Sequence, residues 1–113
     1  MEQFNRIEVQ GLVGNVRTNT FEDSTIANIS VATNYMYKGR DGQGVVETMW
    51  FTVIAREGKS VENVDSFKKG NAVHAVGRLR TRKFTDSDGN ERDSLEIVAT
   101  KIEKVEQEEA VSI

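Results

Sequence analysis

Apolar and polar residues alternate along several short stretches of this 113-residue chain. In residues 26–33 (IANISVAT), Ala27, Ile29 and Val31 fall on one face of an extended strand, because side chains two residues apart point the same way. Residues 7–14 (IEVQGLVG) begin with the same alternation. Both stretches therefore predict half-buried strands.

A third strand is predicted over residues 45–55 (VVETMWFTVIA), which are rich in β-branched and aromatic side chains. The alternation places Phe51 on one face and Trp50 on the other, so both faces of this strand need cover. Residues 38–44 before it contain Asp-Gly, a dipeptide typical of a hairpin tip. The second and third strands are thus expected to form a long hairpin.

One short helix is predicted over residues 60–69, after the third strand. Ser60 can act as its N-cap, and Val61, Val64 and Phe67 recur on one face of the predicted helix. We therefore expect this segment to pack one apolar face against the sheet.

A second long hairpin is predicted from strands over 73–83 and 94–102, with a turn at 87–90 (SDGN). Five strands, with one short helix between strands 3 and 4, predict an all-β, five-stranded Greek-key barrel of the OB type. An SH3-like barrel is the chief structural alternative. The position of the helix favours the OB barrel.

Composition excludes several kinds of site. The chain has no cysteine, which rules out disulfides, thiolate metal sites and thiol nucleophiles. His74 is the only histidine, and the glycines match no phosphate-binding loop. We expect no catalytic residue, no metal and no cofactor, and hence no enzyme activity. No secretory or membrane-spanning segment is evident, so a cytoplasmic location without a membrane partner is expected.

Charge is distributed unevenly along the chain, whose net charge is -3. From residue 103 onward four glutamates outweigh one lysine, so residues 1–102 are neutral. Within that neutral body, residues 78–83 (RLRTRK) hold four cations and no acid. The acidic net charge therefore conceals a local positive field of the kind that attracts polyanions.

In the predicted fourth strand, Arg78, Arg80, Arg82 and Phe84 share one face. Guanidinium groups about 6.5 to 7 Å apart, from a rise of roughly 3.3 Å per residue, can follow a phosphate backbone. The adjacent ring offers a surface on which a base can stack. A solvated strand face is the competing interpretation. Other rings near cations favour nucleic acid, namely Tyr35 and Tyr37 beside Lys38 and Arg40, and the single tryptophan, Trp50.

Over about residues 4–104 the chain resembles the bacterial single-stranded DNA-binding protein family, SSB. The most specific motif is G-x-L-R-T-R-K-aromatic-T-D at residues 77–86. The order and spacing of four other features agree with it: IANISVAT at 26–33, Trp50, Gly58-Lys59 and Lys69-Gly70. The resemblance implies an OB fold, a homotetramer, and nucleoid-associated binding of single-stranded DNA in replication, recombination and repair. The two-faced third strand is consistent with subunit contacts but leaves a dimer open.

The resemblance also assigns roles to individual positions. It implies that bases stack on Tyr37, Trp50 and Phe84, to which the pattern of rings adds Tyr35. It implies phosphate contacts from the basic positions Arg80, Arg82, Lys83, Lys38 and Arg40, to which the strand alternation adds Arg78. Arg56 stands where the family usually has an aromatic residue, and we expect it to contact phosphate or to make a cation–π contact.

The expected division of the chain is a single-stranded DNA-binding domain over residues 1–104 and a short acidic tail over 105–113. The family's flexible linker and its acidic tail with a terminal proline and aromatic are absent from the sequence, which leaves recruitment of replication or repair proteins open. Two other functions also stay open. One is a primosome-type protein-interaction adaptor, and the other is an OB module for RNA or oligosaccharide.

Overall fold

The computed structural model describes residues 1–61 and 63–106 of the chain. Its five strands are β1 (Ile7–Phe21), β2 (Ser24–Lys38), β3 (Gly44–Arg56), β4 (Ala72–Thr85) and β5 (Glu91–Lys104). The strands close into a barrel in the order β1-β2-β3-β5-β4. The predicted all-β, five-stranded barrel of the OB type, with long hairpins after β2 and β4, is confirmed.

One parallel contact closes the barrel. Thr52 to Ile54 of β3 pair with Glu96 to Val98 of β5, while all other neighbouring strands are antiparallel. Because parallel strands begin at the same end of a sheet, the hairpins that precede β3 and β5 both extend from one end of the barrel. We call these extensions the first arm (residues 33–49) and the second arm (residues 81–95).

The alternation seen in the sequence fills the barrel with aliphatic side chains. Ala27, Ile29 and Val31 of β2 are all fully buried. The other buried apolar residues around them are Val9, Val13, Val53, Ala55, Val64, Phe67, Val73, Ala75, Ile97, Ala99 and Ile102. Burying one aliphatic side chain of this kind stabilises a fold by about 1.5 to 3 kcal/mol relative to exposure, so the interior dominates the stability of this small domain.

The predicted helix over residues 60–69 is wrong. Between β3 and β4 the described residues form only a single 3₁₀ turn, Val64–Ser66. Ser60 does not cap a helix, since its buried hydroxyl donates to the carbonyl oxygen of Ala99 at 2.7 Å and so ties the segment to β5. Val64 and Phe67 are nevertheless buried. The three-residue spacing therefore marked core contacts of an irregular segment, because residues three apart also align in a 3₁₀ turn.

The end of β5 lies close to the predicted domain boundary. β5 ends at Lys104, and the backbone N–H of Val105 still donates to the carbonyl oxygen of Ala72 at 2.9 Å. Most of the predicted acidic tail, residues 107–113, lies outside the described residues. The division at residue 104 stays a prediction. Among the described residues no helix is long and apolar enough to cross a bilayer.

β4 and β5 approach each other closely at Gly77, where the basic run begins. A Cβ atom at this position would collide with the carbonyl oxygen of Val98 and would lie 2.9 Å from the Cα atom of Ala99. Both obstacles are backbone atoms of the paired strand, so no side-chain rotation can relieve the collision. Gly77 therefore permits the strand register that orients the following arginines outward.

We expect Gly77→Ala to lower the free energy of unfolding by about 1 to 3 kcal/mol, the usual cost of overpacking. Urea unfolding followed by circular dichroism measures this loss. Gly44→Ala is the matched control, because nothing lies within 4 Å of a Cβ atom built there. Equal unfolding midpoints for the two variants would contradict the argument.

Candidate nucleic-acid interface

The pairing register fixes which side chains are neighbours on the outside of the barrel. One row crosses the five strands through Asn15, Ser30, Thr52, Glu96 and Arg80. The next row crosses through Arg17, Asn28, Ile54, Val98 and Arg78. Between the arginines of β1 and β4, the two rows carry amides, hydroxyls, short apolar side chains and one carboxylate, that of Glu96. We call this surface the outer face.

A groove of about 470 Å³, here called the basic groove, lies on the outer face where β3, β5 and β4 meet. Apolar side chains of Ile54 and Val98 line it together with four cationic residues. The cationic residues are Arg56, Lys59, Arg78 and Arg80. Positive charge around an apolar surface suits a ligand that has both phosphate and planar base, as a nucleotide has.

Arg78, Arg80 and Arg82, here called the arginine row, lie exposed on the outer face, and Phe84 continues the row into the second arm. Phe84 is 44% exposed, so its ring is open to a stacking partner. Lys83 points to the opposite face of the second arm, where Asp93 is its cross-strand neighbour. The structure thus separates Lys83 from the arginine row.

Trp50 lies on the outer face and not in the core, with 59% of its surface exposed. Part of the indole covers Gly14 of β1, because a Cβ atom built at that glycine would lie 2.6 Å from Cη2 of the ring. Gly14 falls at a break in register between Val13 and Asn15. The ring is therefore supported on one side by backbone and open to solvent on the other, as a stacking platform requires.

Tyr35 and Tyr37 lie in the first arm, with ring centroids 6.0 Å apart and an angle of 29° between the ring planes. Both are exposed. The register pairs Trp50 with Ala32 and Tyr35 with Glu47, so the tyrosines occupy the face of the arm opposite Trp50. They form a second aromatic surface that the structure does not join to the first.

The remaining predicted cations are divided between two places. Arg56 ends β3 and lines the basic groove beside the arginine row. Lys38 ends β2 and Arg40 follows in the loop, so both lie exposed at the tip of the first arm. The structure therefore brings Arg56, but not the two tip residues, to the groove.

Two cations on the outer face were missed by the sequence analysis. Lys59 lines the basic groove. Arg17 lines a second groove of about 450 Å³ with polar residues of β1, β2 and β3. Arg17 alternates with Asn15 and Asn19, a period-two signal that was overlooked because the first strand was predicted to end at residue 14.

The tip of the second arm is organised by the carboxylate of Asp86. Its Oδ1 accepts the backbone N–H groups of Asp88 at 3.0 Å and Asn90 at 2.9 Å, and its Oδ2 accepts Nε–H of Arg92 at 2.8 Å. The Arg92 guanidinium and then these backbone donors hold the pKa of Asp86 below its ordinary value of 3.8. Arg92 is the cross-strand partner of Phe84. The same carboxylate therefore fixes the residue beside the candidate stacking ring.

His74 lies away from the arginine row, on the face shared by β1 and β4. Its Nε2 atom is 2.6 Å from Oε2 of Glu8, and its Nδ1 atom is 3.9 Å from Oε1 of Glu103. Among residues 1–61 and 63–106, no group of three or more histidine, cysteine, aspartate or glutamate residues is arranged to hold a metal ion.

Comparison with known families identifies the family of this chain. Residues 4–105 match the family described as the single-strand binding protein family. The chain belongs to this family. A single-stranded DNA-binding protein of Neisseria meningitidis serogroup A is 34% identical over 77 residues, which are 68% of this chain and 44% of that protein. One of Xanthomonas axonopodis pv. citri is 33% identical over 102 residues, 88% of this chain and 56% of that protein. The chain thus spans about half the length of the curated relatives it matches.

Solved structures in the family share the fold. A Plasmodium falciparum SSB solved in complex with single-stranded DNA superimposes with a TM-score of 0.75 at 20% identity, covering 94% of this chain and 98% of that chain. The small single-stranded DNA-binding protein from Streptomyces coelicolor gives 0.70 at 24% identity, covering 88% and 93%. The likeness covers 88% or more of this chain in both comparisons.

A pH titration tests the role of Asp86 at the tip. Because its pKa in the folded chain lies below 3.8, the ionised carboxylate stabilises the tip at neutral pH, and this contribution is lost as the pH falls through the lower, folded value. We expect the amide resonances of Asp88 and Asn90 to shift together in NMR spectra, with a midpoint below 3.8. Arg92→Gln should raise that midpoint, since it removes the largest cause of the lowered pKa. An unchanged midpoint in this variant would contradict the assignment.

Proposed function

We propose that this chain binds single-stranded DNA, without catalysis and largely without regard to sequence. The observation that carries the proposal is the placement of two exposed rings and the arginine row on one outer face. Trp50 lies two residues before Thr52, whose row leads across the barrel to Arg80, and Phe84 lies four residues beyond Arg80. A strand of DNA that follows the arginines thus has one aromatic ring, Trp50, beside the row and another, Phe84, at its end.

The chemistry of this surface explains why little sequence preference is expected. Every base has a π-face that can stack on an aromatic ring, and guanidinium groups contact phosphates that are the same at every nucleotide. The phosphate contacts are assigned to the arginine row, to Arg56 in the groove, and to Lys83, Lys38 and Arg40 on the arms. Tyr35 and Tyr37 provide further stacking on the other face of the first arm.

The similarity to known proteins also supports this proposal. The matching family is described by single-strand binding, the curated relatives are named for single-stranded DNA binding, and the Plasmodium structure contains single-stranded DNA. Such proteins serve replication, recombination and repair, and we propose the same setting for this chain, in the bacterial cytoplasm at the nucleoid.

Loss of the rings should weaken binding strongly. Because base–aromatic stacking is worth about 1 to 3 kcal/mol per base, Trp50→Ala and Phe84→Ala should each lower the affinity for oligo-dT by about 5- to 150-fold. Anisotropy of a labelled oligonucleotide measures both variants. Phe21→Ala is the control, since that ring is also exposed, at 64%, but lies at the turn between β1 and β2.

Two results would count against the proposal. Unchanged affinity in the Trp50→Ala/Phe84→Ala double variant would remove the stacking role. A preference for oligo-rU or for duplex DNA over oligo-dT, measured by competition in the same assay, would remove single-stranded DNA as the ligand.

We further propose that copies of this chain associate, as a homotetramer or a dimer. A two-stranded hairpin standing alone is only marginally stable in water, and both arms leave large apolar side chains exposed. Examples on the barrel-interior side of the arms are Met49 and Leu95, which are 55% and 54% exposed. A second copy would cover them.

Light scattering should therefore give a mass of two or four chains, both without DNA and with oligo-dT. Replacing Leu95 by Ser should shift the assembly toward smaller species. The exposed apolar side chain of Leu95 contributes little to the fold of one chain, and it would be buried only at an interface with a second copy. A single-chain mass for the unaltered protein at micromolar concentration would contradict the proposal of self-association.

A further inference from the structure

One acidic side chain lies inside the arginine row. Glu96 of β5 is the cross-strand partner of Arg80 and the neighbour of Thr52 on β3, so it belongs to the outer face. It is only 4% exposed. Neither the stacking rings nor the phosphate contacts of the proposed function account for a buried carboxylate in this position.

Its two oxygens face two members of the arginine row. Oε1 accepts Nε–H of Arg80 at 3.2 Å and Nη2–H of the same guanidinium at 3.1 Å. Oε2 lies 3.9 Å from Nη1 of Arg82. Arg80 is therefore held by a two-donor contact, whereas Arg82, which is 63% exposed at its side chain, is only drawn toward the same carboxylate.

Burial makes the contact between Glu96 and Arg80 persistent. A carboxylate that is almost wholly removed from water must keep a cationic partner, because an isolated buried charge is strongly unfavourable. The side chain of Arg80 itself is 40% exposed, so it can be reached from the solvent side. A phosphate that reached Arg80 would thus also stand beside the negative charge of Glu96.

We infer that Glu96 neutralises Arg80 in place and so sets the number of effective cations that the arginine row presents to DNA. This inference rests on the proposed function. Binding of a phosphate by a protein cation releases counterions from DNA, and on single strands the slope of log affinity against log salt is about -0.7 per phosphate neutralised. The Arg80–Glu96 pair carries no net charge and adds little to that slope.

Arg78 provides the contrast within the same row. No residue in the described part of the chain forms an ion pair with Arg78, although it lines the same groove as Arg80. Arg78 therefore acts as a cation that releases counterions, and Arg80 acts as a fixed hydrogen-bond donor. Glu96 is a positioning residue that acts through Arg80 and does not touch DNA.

The salt dependence of oligo-dT binding tests this inference. Glu96→Gln keeps an oxygen that can accept from Arg80 but removes the charge, so the slope should steepen by about 0.7 and the affinity at low salt should rise. Arg78→Gln should make the slope shallower by about 0.7. The double variant Arg80→Gln/Glu96→Gln removes both charges of a neutral pair and should keep the slope of the unaltered protein.

Glu103→Gln is the matched control on the same strand. It makes the same change of charge and also releases a lysine, since Oε2 of Glu103 lies 3.6 Å from Nζ of Lys101. It lies seven residues from Glu96, roughly 23 Å along an extended strand, which exceeds the screening length of about 10 Å at 0.1 M salt. Its slope should match that of the unaltered protein.

The results separate this inference from the proposed function. If the unaltered protein fails to bind oligo-dT at any salt concentration, the proposed function fails. If it binds but Glu96→Gln has the slope of Glu103→Gln, the inference is overturned. Should Glu96→Gln not fold, the double variant, which leaves no buried charge, decides the matter. If the double variant has a slope as shallow as that of Arg78→Gln, Arg80 counts as a full cation in the unaltered protein, and the inference is overturned.

Discussion

The short parallel contact between β3 and β5 determines both the closure of this domain and the layout of its candidate binding surface. It joins Thr52 to Glu96 and Ile54 to Val98, and without it the sheet would have two open edges. The same contact sets both hairpins at one end of the barrel and leaves only β5 between the strand that carries Trp50 and the arginine row. Barrel closure and site assembly therefore depend on the same few residue pairs.

Strand periodicity serves two purposes in this chain. In β3, Val53 and Ala55 fill the core while Trp50, Thr52 and Ile54 form part of the outer face. A rigid interior thus fixes the position of every second side chain outside it, and rings held on strands keep their positions better than rings on loops. Large exposed rings such as Trp50 and Phe84 are typical of surfaces that bind a ligand or another chain.

Sequence reasoning succeeded where the information is local and failed where it is not. Alternation around Ile29 was enough to predict the buried face of β2, and Asp-Gly in the first hairpin marked its tip. The helix at 60–69 failed because a spacing of three residues fits both a helix and the 3₁₀ turn near Val64. Arg17 was missed because the break in register between Val13 and Asn15 interrupts the alternation of β1, so the period-two pattern beyond it was not joined to the first strand.

The role of Glu96 lay beyond sequence reasoning for a deeper reason. Residues 78–83 hold four cations and no acid, so a count along the chain assigns the full positive charge to DNA binding. Pairing across the barrel brings a glutamate sixteen residues later to within 3.1 Å of Arg80. Local sequence charge therefore overstates the field that a phosphate meets, since charges on neighbouring strands are as close as charges on the same strand. In a closed barrel, the register of the strands and not their order along the chain determines the electrostatics of the surface.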